Sequence, residues 1–552
     1  MPLVLVPRPR RIDFREGRHV PSREPLEPIL DPTLDVRAQG YTLAIEPGRV
    51  VAVARDGGGI RNARATWAQI AAQADSDGTV PCLSIADWPD FPRRGVMLDI
   101  SRDKVPTNAT LKGLIDLLAG WKVNELQLYM EHTFAYRGHR EVWEHASPLD
   151  AEEIEELDAY CRERGIELVP NQNSFGHMER WLGHPRYADL AEVPYTPAQR
   201  EQGEDPGYRS LCPVDPRSIE LIASLYRELL PCFTSGELNV GCDETIDLGK
   251  GRSADAVARL GAGRVYLDFL RQIHAEVSRH RRTMLFWGDI ILNHPDLIRE
   301  LPSDAIALNW GYEADHPFDA EGSRFARAGI AYRVCPGTSS WLSLGGRTDN
   351  AIGNLRSAAE NGLRHGAGGY LITDWGDFGH WQPLPVSFLG LAYGAAVSWC
   401  LEANRDLDLR AVVGETAYDL GNVYRETGVV LKNASVLAIL LLFPDRSMTE
   451  GRLAELTIEG LERAAAAIPP TDDPELGLAA SLMRHACRFG IARKRAPDHR
   501  VESILHGERL VLAYDLDRIL AEYRRLWLTR NRPGGLDDSV ARMERLLARY
   551  RA

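Results

Sequence analysis

The sequence predicts an α/β protein, a (β/α)8 TIM barrel with a small N-terminal α/β domain and a helical C-terminal domain. Three observations predict it. From about residue 94 to 400, eight short apolar runs alternate with segments whose apolar residues recur at helical spacing. Before that stretch lie short period-two runs, and after about Asp406 the strand signals stop and helical patterns take over. The divisions fall at residues 1–90, 91–404 and 405–552. An open doubly wound sheet is the alternative arrangement of the same units.

In the first part, Tyr41–Ile45 and Val50–Ala54 flank Pro47-Gly48, the pattern of a hairpin. Gly57-Gly58-Gly59 reads as a turn before the amphipathic segment IRNARATWAQIAAQ; it lacks the spacing and the lysine of a phosphate loop. The barrel strands are read at Arg94–Ile100, Glu125–Met130, Ile166–Pro170, Glu237–Gly241, Thr283–Gly288, Ala305–Trp310, Ala331–Cys335 and Gly368–Trp375. Strands buried on both faces should be nearly continuous in apolar residues, as these are. LKGLIDLLAGW, AEEIEELDAYCRER and VYLDFLRQIHAEVSRH are among the helical segments between them. In the third part, RNRPGGLDDS (Arg530–Ser539) interrupts one long helix and offers Asp537 or Asp538 as the cap of the next; it is also a candidate for a role at a site mouth or a subunit contact.

Composition narrows the function. With 44% hydrophobic and 26% charged residues, the 552-residue chain can bury large cores. The net charge is −13 and arginine is interspersed with acids, so no phosphate-tracking surface and no nucleic-acid partner are expected. No run of about 18 uncharged apolar residues occurs, so no membrane partner is expected. The start, MPLVLVPRPRR, is too poor in apolar residues for a signal peptide. Eight cysteines (82, 161, 212, 232, 242, 335, 400 and 487) show no metal-ligand or redox spacing. A reduced, cytoplasmic protein with no cofactor and no metal is expected, and a homo-oligomer is compatible with the sequence.

Barrel active sites form at the C-terminal ends of the strands, so the residues that finish each run carry the functional reading. These are Asp99 and Arg102; Glu131 and His132; Asn171, Asn173 and His177; Asp243 and Glu244; Trp287 and Asp289; Trp310 and Tyr312; Trp341; and Asp374, Trp375, Asp377, His380 and Trp381. Tryptophans among carboxylates suit a sugar, whose C–H faces stack on aromatic rings while its hydroxyls bind charged groups. Asp243-Glu244 follows the buried-strand pattern LNVGC, where uncompensated charge is costly. The rival reason for the pair is a cation held by Asp243, Glu244, His132 and His177.

At these residues the chain resembles glycoside hydrolase family 20, the β-N-acetylhexosaminidases, over about residues 40 to 400. Asn239-Val240-Gly241-Cys242-Asp243-Glu244 is similar to the family's His-x-Gly-Gly-Asp-Glu, RGVMLDISRDKVP to its first barrel strand, and Phe175–His177 to its Pro-Gly-His. The resemblance implies that Glu244 is the general acid and that Asp243 orients the substrate's acetamido group. It implies that Arg102 clamps the 3- and 4-hydroxyls, that His177 lies close to the acid and that Asp377 holds the 4- and 6-hydroxyls. Trp287, Trp310 and Trp375 would wall the pocket, with Trp341 and Trp381 as further substrate-binding candidates. Departures are also present. Asn173 and Asn239 replace an Asp and a His in contact behind the acid, two amides able to bond each other. Glu131 or His132 stands in for an Asp, and Tyr312 for the tyrosine that grips the acetamide carbonyl.

The expected function is exo-hydrolysis of terminal β-linked GlcNAc or GalNAc from a glycan. No separate carboxylate offers itself as nucleophile, and neighbours in the chain cannot readily take opposite faces of one anomeric carbon. A retaining mechanism through an oxazolinium formed by the substrate's own acetamide follows. Another barrel hydrolase, metal-assisted, and a non-catalytic glycan-binding protein are the alternatives; the intact Asp243-Glu244 pair speaks against the latter.

Overall fold

The computed structural model describes residues 3–22, 24–194 and 209–552. The N-terminal sheet has five strands, β1 (Arg11–His19), β2 (Ile29–Leu30), β3 (Tyr41–Glu46), β4 (Arg49–Ala54) and β5 (Val80–Asp87), in the order β1-β5-β3-β4-β2. The Pro47-Gly48 hairpin is present, since β3 and β4 pair antiparallel from Tyr41–Ala54 to Glu46–Arg49. Gly57–Gly59 is not a turn before the helix. It forms the first turn of helix Gly57–Ala71, and the Asp56 side chain caps that turn by accepting from the Gly59 N–H.

Eight parallel strands form the barrel: β6 (Arg93–Asp99), β7 (Glu125–Tyr129), β8 (Glu167–Val169), β9 (Glu237–Asn239), β10 (Thr283–Trp287), β11 (Ile306–Trp310), β12 (Ala331–Cys335) and β13 (Gly369–Asp374). Their order, β8-β7-β6-β13-β12-β11-β10-β9, leaves β8 and β9 at the two ends. A parallel bridge between Asn171 and Asn239 joins these ends, with the Asn239 N–H donating to Pro170 O and the Gln172 N–H to Asn239 O, both at 2.9 Å. All eight strands read from the sequence are present, and the doubly wound alternative falls with the join. The fifth connection departs from the βα rule. Only the short helix Asp289–Leu292 and a 3-10 turn at Pro295–Glu300 follow β10, where His294-Pro295 interrupts the apolar spacing.

Strand alternation separates two apolar layers. Val96, Leu98, Leu126, Leu128, Phe286, Val334 and Ile372 point outward into the core shared with the helices. Met97, Tyr129, Leu285, Trp287, Leu308, Cys335 and Leu371 point inward. The barrel floor is charged. Arg333 reaches Glu125 at 2.7 Å and Glu237 at 2.5 Å with almost no exposure, and burial pushes the Glu237 carboxyl upward against the pull of Arg333.

Helix Leu384–Trp399 is the common wall of all three parts. Its Leu389, Leu391 and Val397 join the barrel core, and Trp399 joins the N-terminal core with Tyr41, Leu43 and Ile85. The Trp399 indole N–H donates to Asp87 Oδ1, while Lys122, fully buried, holds Asp87 Oδ2 at 2.8 Å. The barrel core continues through Leu409. Beyond it, helices Ile458–Ala467, Pro474–Arg495, His506–Arg530 and Leu536–Arg551 gather around a separate core with Leu437, Leu482, Phe489, Leu516 and Tyr550. Neither Asp537 nor Asp538 caps the last helix. Gly535, in the left-handed conformation, occupies the cap, and both aspartates lie in the first turn.

Removing Arg333 leaves Glu125 with only the Gln127 amide at 2.9 Å and Glu237 with only Arg93 at 3.3 Å, two buried carboxylates short of charge compensation. Arg333→Met should therefore lower the unfolding free energy by about 3–5 kcal/mol in a urea titration; a loss under about 1 kcal/mol would show that the floor charges are hydrated instead.

Candidate active site

The site assembles at the C-terminal mouth of the barrel around Arg102. Asp99, the last residue of β6, accepts from the backbone N–H groups of Ser101 and Arg102 and, across the β6–β13 pair, from Gly376. Its Oδ2 also holds the Arg102 guanidinium at 3.0 Å, and Glu131 Oε1 lies 3.1 Å from Arg102 Nε. The guanidinium is 4.6 Å from the Tyr129 ring centroid and 5.0 Å from that of Trp375. Two carboxylates and two aromatic faces thus offset the desolvation of one charge. Burial raises Glu131 to a pKa of about 7 even though Arg102 pulls it down.

The acidic pair stands on a strained turn. Gly241, Cys242 and Glu244 all have positive φ (70°, 73° and 47°). A side chain at Gly241 would put its Cβ 1.8 Å from Asn173 Oδ1, so this position requires glycine. The turn gives the two acids different surroundings. The Asp243 side chain is 9% exposed and that of Glu244 36%. Asp243 Oδ2 lies 3.2 Å from His177 Nε2, whereas Asp243 Oδ1 is buried with no hydrogen-bond partner among the described residues. Glu244 Oε2 lies 3.5 Å from the same nitrogen, and the Glu244 N–H donates to Asp289 Oδ2. Burial first, and the Asp243 charge next, hold the Glu244 carboxyl above its ordinary range. The same two causes lift Asp289 to about 8. Burial works against a charged His177, but Asp243 prevails and raises it to about 10.

An aromatic box completes the mouth. Trp287 and Trp375 are tilted at 6.0 Å, Trp310 stacks on Tyr312 at 5.1 Å, and Trp341 meets Tyr312 edge-on at 5.0 Å. The Trp375 indole N–H donates to the Tyr312 hydroxyl at 2.8 Å. The indole nitrogens of Trp287 and Trp341 are buried without a partner among the described residues, and the Trp310 indole N–H faces the Asp289 carboxyl. Asp377 follows Trp375, raised by burial and pulled back by Arg102.

Arg102, Glu131, His177, Asp243, Glu244, Trp287, Trp310, Tyr312, Trp341, Trp375 and Asp377 are thus brought to one mouth. Two predicted residues are not. His132 follows Glu131 on the opposite parity and lines a cavity of about 180 Å³ with Arg180 and His184, its pKa depressed by burial and then by Arg180. Trp381 lies beyond the left-handed residues Phe378, Gly379 and His380 and stacks on Tyr523 at 4.3 Å, in the C-terminal core. The amides also differ from expectation. Asn173 donates to the Tyr129 hydroxyl and Asn239 to Gln127 Oε1. Tyr129 was hidden inside an apolar run, and Asp289 was legible at a strand end but had no assigned role. His177, Asp243 and Glu244 lie close enough to share a cation, without His132. An imidazolium between two carboxylates already places positive charge there.

A barrel mouth with buried charges on one side and an aromatic box on the other has the composition that suits a carbohydrate site. Residues 91–387 match the family described as "Glycosyl hydrolase family 20, catalytic domain", and the chain belongs to that family. A beta-hexosaminidase of Akkermansia muciniphila is 27% identical over 263 residues, 44% of this chain and 51% of the relative. Hexosaminidase D of Homo sapiens is 24% identical, covering 63% of this chain and 75% of that protein. The chain thus spans about half the length of the first of these relatives. Among solved structures, a Flavobacterium johnsoniae chitobiase aligns with 99% of this chain and 93% of its own at a TM-score of 0.61 and 16% identity. A beta-N-acetylhexosaminidase aligns with 75% of this chain and 95% of its own at a TM-score of 0.60 and 20% identity.

The His177–Asp243 pair can be read directly by NMR titration. In Asp243→Asn the raising charge is gone while burial persists, so the imidazole pKa should fall from about 10 to its ordinary 6.5 or below. The folded-state value lies above the unfolded one, so the pair's stabilisation is complete below pH 6.5 and fades as pH rises towards 10. An unchanged His177 titration in the variant would refute the pairing.

Proposed function

We propose that this protein is an exo-acting β-N-acetylhexosaminidase that hydrolyses terminal β-linked GlcNAc or GalNAc from glycans, with retention, through an oxazolinium formed by the substrate's acetamide. One observation carries the reading. Asp243 keeps one oxygen on His177 and leaves the other buried and unpartnered, beside an acid, Glu244, that is more exposed and raised in pKa. The free oxygen is placed to accept the acetamide N–H and to offset the positive charge that grows as the ring closes. Glu244 then protonates the leaving oxygen and, as its conjugate base, activates water for the second step.

Four other carboxylates at or behind the mouth support substrate assistance because they are committed elsewhere, while Asp377 is kept for the 4- and 6-hydroxyls. Asp99 and Glu131 are bound to Arg102, Asp374 accepts from Thr338, Ser340 and Ser387, and Asp289 at about 8 is a neutral acid near pH 7. The acetamide oxygen has the large effective molarity of an intramolecular nucleophile. Tyr312 accepts from Trp375 and has no acceptor for its own proton among the described residues, so the acetamide carbonyl is its natural partner. The hexosaminidase names of the relatives agree with this substrate class. Eight buried, unpaired cysteines suit a reducing compartment, and cytoplasmic action is part of the proposal. Among the described residues, no helix is long and apolar enough to cross a membrane.

Glu244→Gln should lower kcat by about 10²- to 10⁴-fold on substrates with poor leaving groups, and by much less on activated aryl glycosides. Asp243→Asn should cost about 10²- to 10³-fold on both. It should also move the alkaline limb of the pH–rate profile to lower pH, because the charge that raises Glu244 is lost. The decisive measurement is an NMR time course with aryl β-GlcNAc beside the plain β-glucoside: retention with almost no glucoside turnover is expected. Inversion at C1, or brisk glucoside hydrolysis, removes substrate assistance.

A further inference from the structure

The helical C-terminal region is tied to the sugar-holding loops at the two places nearest Arg102 and Asp377. Gly535, at φ +77°, packs against the residue that follows Arg102, since a Cβ there would lie 1.9 Å from Asp103 O. Asp103 itself has φ 72° and shares Arg180 with Asp538, at 3.0 Å on each side. The Arg532 N–H donates to Val105 O, and the Thr107 N–H to Arg530 O, each within 2.9 Å. The Arg532 side chain reaches Glu153 on the neighbouring βα unit.

The loop after β13 is held from the same side. Phe378, Gly379 and His380 have φ of 59°, 108° and 53°, and such a run of left-handed residues persists only where its surroundings over-determine it. The Gly379 carbonyl accepts from Ser539 Oγ at 2.6 Å and from the Tyr523 hydroxyl at 3.4 Å, and those two hydroxyls bond each other at 2.9 Å. Buried Lys104, two residues after Arg102, donates to His380 O at 2.6 Å and Gln382 O at 3.0 Å, which ties the first loop to the last. Trp381 is clamped against Tyr523.

We infer that Arg530–Ser539, with Tyr523, is a positioning clasp for sugar recognition: it fixes the loops after β6 and β13 so that Arg102 and Asp377 meet the ring hydroxyls in register. None of these C-terminal residues belongs to the aromatic box or the acid pair. Their effect is exerted through Asp103 and Gly379, one residue from Arg102 and two from Asp377. The inference rests on the proposed function for the identity of the ligand.

Ser539→Ala removes the shorter bond to Gly379 O with almost no change of volume, and Tyr523→Phe removes the longer one while keeping the stacked ring, so one variant checks the other. Kinetics are measured on aryl β-GlcNAc and on its 4,6-dideoxy analogue, which lacks the hydroxyls assigned to Asp377. Each variant should raise KM for the parent substrate about three- to tenfold with a smaller change in kcat, and leave KM for the dideoxy analogue within about twofold. A merely structural role would move both substrates alike along with the melting temperature, and that result overturns the clasp. Wild-type kinetics in both variants overturns it too and leaves the hexosaminidase reading intact. A wild-type enzyme that fails to cleave aryl β-GlcNAc overturns both.

Discussion

The mouth of this barrel depends on one buried guanidinium. Moving the Arg102 charge out of water is expensive, and the cost is met only because Asp99, Glu131 and the faces of Tyr129 and Trp375 surround it. The same contacts fix the rest of the site. Asp99 ties the first strand to Gly376 beyond the last, so the seam between β6 and β13 and the orientation of Trp375 share one carboxylate. Glu131 carries the order on to Tyr129 and from there to Asn173. A polar ligand entering here would meet donors already aimed, which is the economy of a preorganised polar site.

Two adjacent acids behave differently because the backbone that carries them is not extended. Left-handed residues on either side of Asp243 turn its carboxylate under His177 and leave Glu244 reaching outward. A regular strand would also send neighbours to opposite faces, but one of them would then face the helices. The strained turn keeps both on the mouth side at the price of unfavourable φ at Cys242 and Glu244.

What was legible in the sequence is what burial writes continuously. The eight strands were readable because both of their faces are apolar, and the polar residues that end them stood out against that background. Features set by parity or by distant partners were not. Glu125, Glu237 and Arg333 sit inside strands at inward positions, and nothing local says that they meet on the barrel floor. His132 and Trp381 have the composition of site residues, yet the first falls on the wrong side of its strand end and the second is captured by Tyr523 from more than a hundred residues away. Gly57–Gly59 resembled a turn because glycine disfavours helices, a preference that the Asp56 cap outweighs. The substitution of amides at positions 173 and 239 was visible, but their separate partners, Tyr129 and Gln127, depended on the packed interior.

The join between β8 and β9 is the thinnest part of the barrel wall, held by the Asn171–Asn239 bridge and a few backbone bonds rather than a full ladder. His177 follows one of these strands and Asp243 the other, so their ion pair is also a stitch across the seam. A charged pair at the mouth thereby acquires a mechanical duty. The charge on His177 therefore contributes to holding β8 against β9 as well as to the surroundings of Asp243 and Glu244, so the electrostatics of the mouth and the closure of the wall share one imidazole.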